Sequence, residues 1–411
     1  MTEYYDRLET RSGAERKQAL VHGIRDQLIH AKAHTRAYAT ALGGFDCAAF
    51  SSLDDLNQYP LTRKSDLVGH QAANPPMGGL VALAPPDIRY IHVSPGPIYE
   101  ACSYRPDFWR LARPLFAAGF RAGDLVQNCF SYHLTPAGAM LDSGLHALGC
   151  TVIPGGVGQA EMQVRTITDL KPVGYVGTPS FLKIILEKAD DMRTDVRSIE
   201  KGLVSGEALP PPLRAMFSER GVAIVQAYAT ADLGVIAYET IPDAGLVVDE
   251  GVHVEIIRPG GSEPAPDGEV GEVVVTSLNP DYPLIRFATG DLSAMMDGVS
   301  ECGRTNRRIR GWMGRADQTA KVRGMFIHPQ QIHEIVKRHR EVEKARLVID
   351  WVDQEDDITL QCETNARVEG MQEAIAQSIR DVCKVRGNVK LVALNSIAND
   401  GVVIEDIRNY E

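Results

Sequence analysis

Apolar residues recur along the chain with three different periods, and each period predicts a different kind of element. Near the start, Leu20, Ile24, Leu28 and Ala31 fall on one face of an otherwise polar stretch, so residues 1–58 are expected to form a helical packing arm. Residues 88–93 (IRYIHV) read as a strand. Residues 108–124 read as an amphipathic helix ending at Gly123-Asp124, and residues 125–134 (LVQNCFSYHL) as a buried strand. Residues 150–189 then alternate strand, glycine turn, helix, strand and helix, with Thr178 and Ser180 as cap residues for the last helix. A further strand leads into Ser205-Gly206-Glu207. This βαβα order predicts a parallel sheet with crossover helices. Residues 251–278 alternate more tightly and suggest a small barrel-like β subdomain. Residues 284–287 read as a strand running into Thr289-Gly290-Asp291, and the tail beyond Asp317 as a compact β–α–β–β–α–β unit.

Composition narrows this α/β picture little. The 411 residues are 44% hydrophobic and 24% charged, enough for two or three domains. A net charge of -11 without a basic stripe argues against a nucleic-acid partner. No apolar run approaches the roughly 18 residues of a membrane span, and the first residues lack a signal-peptide core, so the expected location is the cytoplasm. Seven scattered cysteines with no CxxC pair read as reduced thiols, in keeping with that compartment.

The chemistry gathers in residues 282–324. Asp291 can accept two hydroxyl hydrogen bonds and Arg315 can donate a fork of them, which together suit a ribose. Read alone, Asp291 would be a turn or cap residue. The run YPLIRFATGDL, then CGRTNRRI, then GRADQTAKVRGMFIHPQQIHEIV resembles the adenylate-forming enzymes, and most closely the phenylacetate–coenzyme A ligase family. The resemblance extends from residue 59 to the C-terminus. It implies a large domain of parallel-sheet lobes with a small β subdomain (residues 1–316) and a small α+β lid (residues 317–411) rotating about Asp317. It also implies ribose contacts at Asp291 and Arg315, adenine and acyl contacts at Gly206 and Glu207, and a tyrosine near adenine at Tyr228. Asp232 would be the magnesium ligand, acting in catalysis. Phe130, Tyr132 and Gly138 would form the acyl pocket, with Gly138 leaving room for a ring. Arg323 and Gly324 would line the thiol channel. His133 falls in the same pocket and could serve as a catalytic base, the plainer alternative being a ring packed at the pocket wall. Residues 59–70 (YPLTRKSDLVGH) match the family's entry segment and are read as structural.

Three positions depart from the pattern. The family's phosphate loop, Ser-Ser-Gly-Thr-Thr-Gly-Lys-Pro, is here residues 94–101, SPGPIYEA, in which Pro95 and Pro97 have no N–H to donate and Glu100 is negative where a cation is wanted. Each lost charge-assisted hydrogen bond is worth roughly 1.5–3 kcal/mol. Near the C-terminus Gly401 is followed by Val402, where the family has a lysine. A structural zinc site of some relatives is reduced to Ser300, Cys302 and Thr240, and no zinc is expected. Three readings follow. The first is a divergent aryl-acid–coenzyme A ligase that forms an acyl-adenylate and then an acyl thioester, using coenzyme A with ATP or AMP and magnesium. The second is an ATP-independent acyltransferase between coenzyme A or a carrier-protein thiol and an acceptor. The third is a non-catalytic binder of acyl-CoA or an aromatic acid. The small-molecule partner is an aromatic or other carboxylic acid or its thioester; a homodimer is compatible with all three.

Overall fold

A computed structural model describes residues 4–258, 261–313, 316, 320–327, 329–352, 355–366, 369–398 and 402–409. The α/β architecture expected from the order of elements is the one observed. The chain divides into two compact units, Met1–Leu209 with Leu213–Met313, and Pro210–Pro212 with Gly314–Glu411.

The first unit is built on parallel strands in the order Thr151–Pro154, Leu125–Asn128, Gly174–Gly177, Lys201–Val204 and Ala223–Thr230. The inner strands Leu125–Asn128, Gly174–Gly177 and Lys201–Val204 are buried almost throughout, as crossover helices require, while the edge strand Thr151–Pro154 is not. The helix Pro179–Asp191 shows why the pattern was readable. Thr178 accepts the Phe181 N–H as its cap, proline opens the first turn, and Leu182, Ile185, Leu186 and Ala189 line the buried face. Residues 251–278 do not close a separate barrel. The strands Val252–Ile257, Val270–Ser277 and Phe287–Met296 form an antiparallel meander that continues, through Arg308–Ile309, Leu246–Val248 and Gly234–Glu239, into the parallel strands.

Two expected elements are shorter. The helix of residues 108–124 is confined to Ala112–Ala117, because the Asp107 carboxylate accepts the N–H groups of Leu111 and Ala112 and starts the helix there. Phe108 and Trp109 go into the core instead. The strand of residues 125–134 stops at Asn128, whose side chain is fully buried and fully used.

The arm is helical at Gly13–His34, with Ile24, Leu28 and Ala31 buried as expected. It is also pinned by charge. Glu9, with no exposed surface, accepts from Arg304 Nε at 2.6 Å, the Tyr238 hydroxyl at 2.8 Å and the Tyr5 N–H at 2.6 Å. Among the described residues no helix is long and apolar enough to cross a membrane.

The second unit has a four-stranded sheet in the order Asn388–Val392, Glu355–Glu363, Lys344–Val352 and Ile404–Asp406, with helices Pro329–Arg338 and Met371–Cys383. The expected first strand is a separate hairpin, Ala320–Val322 with Met325–Ile327, and Ile404–Asp406 is a further strand at the end, so each adds one strand to the expected order. The hairpin's turn residues Arg323 and Gly324 have φ of 48° and 80°, the paired positive values of a tight hairpin turn.

Candidate nucleotide and acyl site

The carboxyl ends of the parallel strands carry most of the expected site, which is where open α/β sheets hold ligands. Ser205-Gly206-Glu207 follows Lys201–Val204, and Gly206 takes φ of 82°. The Glu207 carboxylate accepts the Ser180 N–H at the start of the helix Pro179–Asp191, 3.4 Å away. The Ser205 hydroxyl donates to the Ala227 carbonyl at 2.7 Å, tying this turn to the neighbouring strand.

Tyr228 and Asp291 are brought together. The Tyr228 hydroxyl donates to Asp291 Oδ2 at 2.8 Å, and Trp312 Nε1 donates to Oδ1 at 3.1 Å. Asp291 is 8% exposed. It does not lie past the end of a strand as expected, but in the middle of Phe287–Met296. Residues 284–286 are not a strand, because Arg286 is wholly buried with φ of 45° and donates to the Tyr59 carbonyl at 2.9 Å. Arg315 and Asp317 lie outside the described residues. Arg323 and Gly324 form the hairpin turn above, where the Arg323 guanidinium donates to the Asp356 and Arg386 carbonyls.

The expected acyl pocket is built around Asn128. Its amide donates to the Gly138 carbonyl at 3.0 Å and to Asp142 at 2.9 Å, and its oxygen accepts the Phe130 N–H at 3.0 Å. The Tyr132 hydroxyl donates to the same Asp142 oxygen at 2.8 Å. Burial and the Asp142 charge hold that phenol well above its usual range. Gly138 does make room for a ring, but the ring is that of Tyr132: a Cβ at Gly138 would meet its atoms at 2.7–2.9 Å. Phe130 is buried in the main core, and His133 is exposed on the loop between the strand and the helix Ala137–Leu148.

The phosphate-loop position holds a tight hairpin. The strands Ile88–Ser94 and Ile98–Ser103 pair with Ser94 opposite Ile98, leaving Pro95, Gly96 and Pro97 as an exposed turn. Glu100 is turned inward, 3% exposed, with the Ser94 hydroxyl donating to Oε1 at 2.5 Å. Burial, then the Asp232 charge, pushes its carboxyl up to about 8. Asp232, expected to hold magnesium, is 5% exposed and accepts from Lys64 Nζ at 2.5 Å. Burial pulls the Lys64 ammonium down, but Asp232 and Glu100 more than offset it and hold it above its usual value. The Glu100 and Asp232 carboxyl groups also hydrogen-bond with each other, which helps to raise Glu100, and their buried oxygens Asp232 Oδ1 and Glu100 Oε2 meet no donor from any other residue.

These residues do not suit magnesium, which needs near-octahedral oxygens and keeps several waters. The Asp232 side chain has no exposed surface, and an ammonium already holds one of its oxygens. Thr240, Ser300 and Cys302 do come together, as a hydrogen-bonded thiol: the Ser300 hydroxyl and Cys302 Sγ are 2.9 Å apart. Burial raises that thiol, yet hydrogen bonds from Ser300, Thr240 and Arg304 bring it below its usual value. Among the described residues no group of three or more His, Cys, Asp or Glu side chains is placed to hold a metal ion.

Sequence reasoning missed Lys64, Asn128 and Trp312 as members of the site, and it placed Glu100 in the phosphate loop without its inward partners. The alternation of the hairpin could have found Glu100, since Ser94, Ile98 and Glu100 all fall on its buried face. Asn128, a polar residue ending a buried apolar strand, carried a comparable signal.

The Tyr228–Asp291 hydrogen bond, with the Ser205-Gly206-Glu207 turn at the carboxyl end of a neighbouring parallel strand, fits an adenylate-forming enzyme, and the comparisons agree. The family model of the AMP-binding enzymes matches residues 133–279. A phenylacetate–coenzyme A ligase of Aromatoleum evansii is 30% identical over 350 residues, covering 80% of this chain and 78% of that protein. The enzyme of the same name from Thermus thermophilus is 28% identical over 391 residues, covering 85% of each. A crystal structure of 2-hydroxyisobutyryl-CoA ligase with 2-HIB-AMP and CoA, in its thioesterification state, superposes with a TM-score of 0.85 at 25% identity, covering 100% of this chain and 93% of the other. The chain belongs to the phenylacetate–coenzyme A ligase family of adenylate-forming enzymes.

Proposed function

We propose that this protein converts a carboxylic acid, carried as its acyl-adenylate, into a coenzyme A thioester, and that it forms the adenylate from ATP poorly. The family supports acid–coenzyme A ligase chemistry, and phenylacetate is the first acid to try. The observation that carries the second half is the hairpin turn at residues 95–97, where two prolines withhold N–H groups from a polyphosphate. In this reading Tyr228, Asp291 and Arg315 hold the nucleoside, with Gly206 and Glu207 beside it. Phe130, Tyr132 and Gly138 frame the acyl end, and His133 stands at the rim. The lid from residue 317 turns about Asp317 to bring Arg323 and Gly324 to the thiol.

The test supplies the intermediate. Synthetic phenylacetyl-adenylate with coenzyme A should give thioester at a rate at least about 10²-fold above the same enzyme given phenylacetate, ATP and magnesium, the scale of losing one preorganised charge. Equal rates by the two routes, with brisk ATP–pyrophosphate exchange, would reject the claim. A second reading, ATP-independent acyl transfer, is favoured by Val402 standing where the family has its lysine. Phenylacetyl-CoA incubated with a carrier-protein thiol or an amine, without nucleotide, should then turn over.

A further inference from the structure

We propose that Lys64 is the built-in cation of this site, an ammonium standing where the family resemblance called for a divalent metal, and that Asp232 binds no metal ion in the native protein. The proposal rests on Asp232 belonging to the site described above.

Three separate elements fix the arrangement. Lys64 follows directly on Thr62–Arg63, a short strand paired in parallel with Phe287 and Ala288 of the strand that bears Asp291. Asp232 sits in the turn joining Ala223–Thr230 to Gly234–Glu239, a turn closed by the Leu233 N–H on the Thr230 hydroxyl at 3.2 Å. Glu100 comes from the hairpin below the Pro95–Pro97 turn. The ammonium meets the Asp232 carboxylate at 2.5 Å, and both Glu100 and Asp291 lie close enough to stabilise its charge. The lysine side chain is about three-quarters buried and the aspartate side chain wholly so, which makes the pair part of the interior rather than a surface ion pair. An incoming dication would have to displace this ammonium or sit against it, while shedding the waters that magnesium keeps.

The arrangement also says what happens when the ammonium is removed. Lys64→Ala frees Asp232 Oδ2 beside Asp232 Oδ1 and Glu100 Oε2, two buried oxygens that meet no donor outside these two carboxyl groups. Three carboxyl oxygens without a cation are a set that Mn²⁺ or Mg²⁺ can use.

The experiment is Mn²⁺ binding to the full chain, without nucleotide or acid, followed by electron paramagnetic resonance and by thermal unfolding. Wild type should bind no Mn²⁺ that Asp232→Asn removes. Lys64→Ala should unfold at a lower temperature and gain Mn²⁺ binding. Its midpoint should rise with Mn²⁺ by about 2 °C or more, and the rise should vanish in Lys64→Ala/Asp232→Asn. Mn²⁺ bound by wild type and lost in Asp232→Asn overturns the proposal, whether or not Lys64→Ala folds. A Lys64→Ala protein as stable as wild type and indifferent to Mn²⁺ overturns it too. If the proposed thioester chemistry is wrong, synthetic acyl-adenylate will not turn over, and these metal results will stand unchanged.

Discussion

Gly138→Ala decides whether the small residue at the start of the helix Ala137–Leu148 serves a bound acid or the protein's own tyrosine. The added methyl would lie 2.7, 2.8 and 2.9 Å from three atoms of the Tyr132 ring. Ordinary contact begins near 3.4 Å, so the ring must retreat by 0.5–0.7 Å (3.4 less 2.9 or 2.7). It is not free to do so. Its hydroxyl donates to Asp142 at 2.8 Å, and that same oxygen is held by Asn128, which also holds the Gly138 carbonyl. Either the tyrosine swings out and loses a hydrogen bond to a charged group, or the clash stays as strain. Both routes cost about 2 kcal/mol, from ranges of about 1.5–3 and 1–3. Guanidinium unfolding of the full chain measures this. The same substitution in a Tyr132→Ala background should be nearly silent, giving a coupling energy of about 2 kcal/mol in the double-mutant cycle. An equal cost in both backgrounds would refute the tyrosine argument. So would a Gly138→Ala protein of unchanged stability that binds its acid more weakly, since Gly138 would then be making room for the ligand.

Burial, with Arg307 and Arg286 adding to it, pushes the His253 imidazole down to about 4. The unfolded chain therefore holds the extra proton first, and stability should fall as pH drops from about 6.5 to 4, by about 3 kcal/mol in all. His253→Asn should flatten that slope, and an unchanged pH profile would count against it. Cys302 should be the first cysteine alkylated by iodoacetamide in the native protein. The other six are buried, whereas the Cys302 thiol is part-exposed and lowered by its hydroxyl neighbours. Peptide mapping that finds another cysteine labelled first would refute this.

What the sequence made legible was whatever local periodicity encodes. The buried face of Ile24, Leu28 and Ala31, the Thr178 cap and the parallel order of strands each depend on residues close together in the chain. The hydrogen-bonded partners Tyr228 and Asp291 were legible as members of one site only through the family pattern, since 63 positions separate them. Lys64 was not legible at all: its partner Asp232 lies 168 residues away, and nothing in residues 59–70 distinguishes an inward lysine from a surface one. The strand expected at residues 284–287 failed for a different reason. Two adjacent apolar residues, Leu284 and Ile285, are both buried, and a buried Arg286 in a left-handed conformation turns the chain before the true strand begins.

Glu100 shows how a residue can be noticed for the wrong reason. Its negative charge argues, in the sequence, for repulsion of a polyphosphate, but the folded carboxyl points inward, accepts from Ser94 and sits beside Lys64 and Asp232. Burial and the Asp232 charge push that carboxyl up to about 8, while the Lys64 ammonium beside it pulls the other way. Any weakness toward ATP must therefore come from the turn, where Pro95 and Pro97 leave no N–H groups to donate. Glu100→Gln separates the two causes, because the amide keeps an acceptor for Ser94 and can donate to Asp232 while removing any charge. ATP affinity, measured by calorimetry, should change by less than about twofold. A gain of about tenfold or more, equivalent to about 1.4 kcal/mol, would mean that the carboxylate was ionised and facing the phosphates after all.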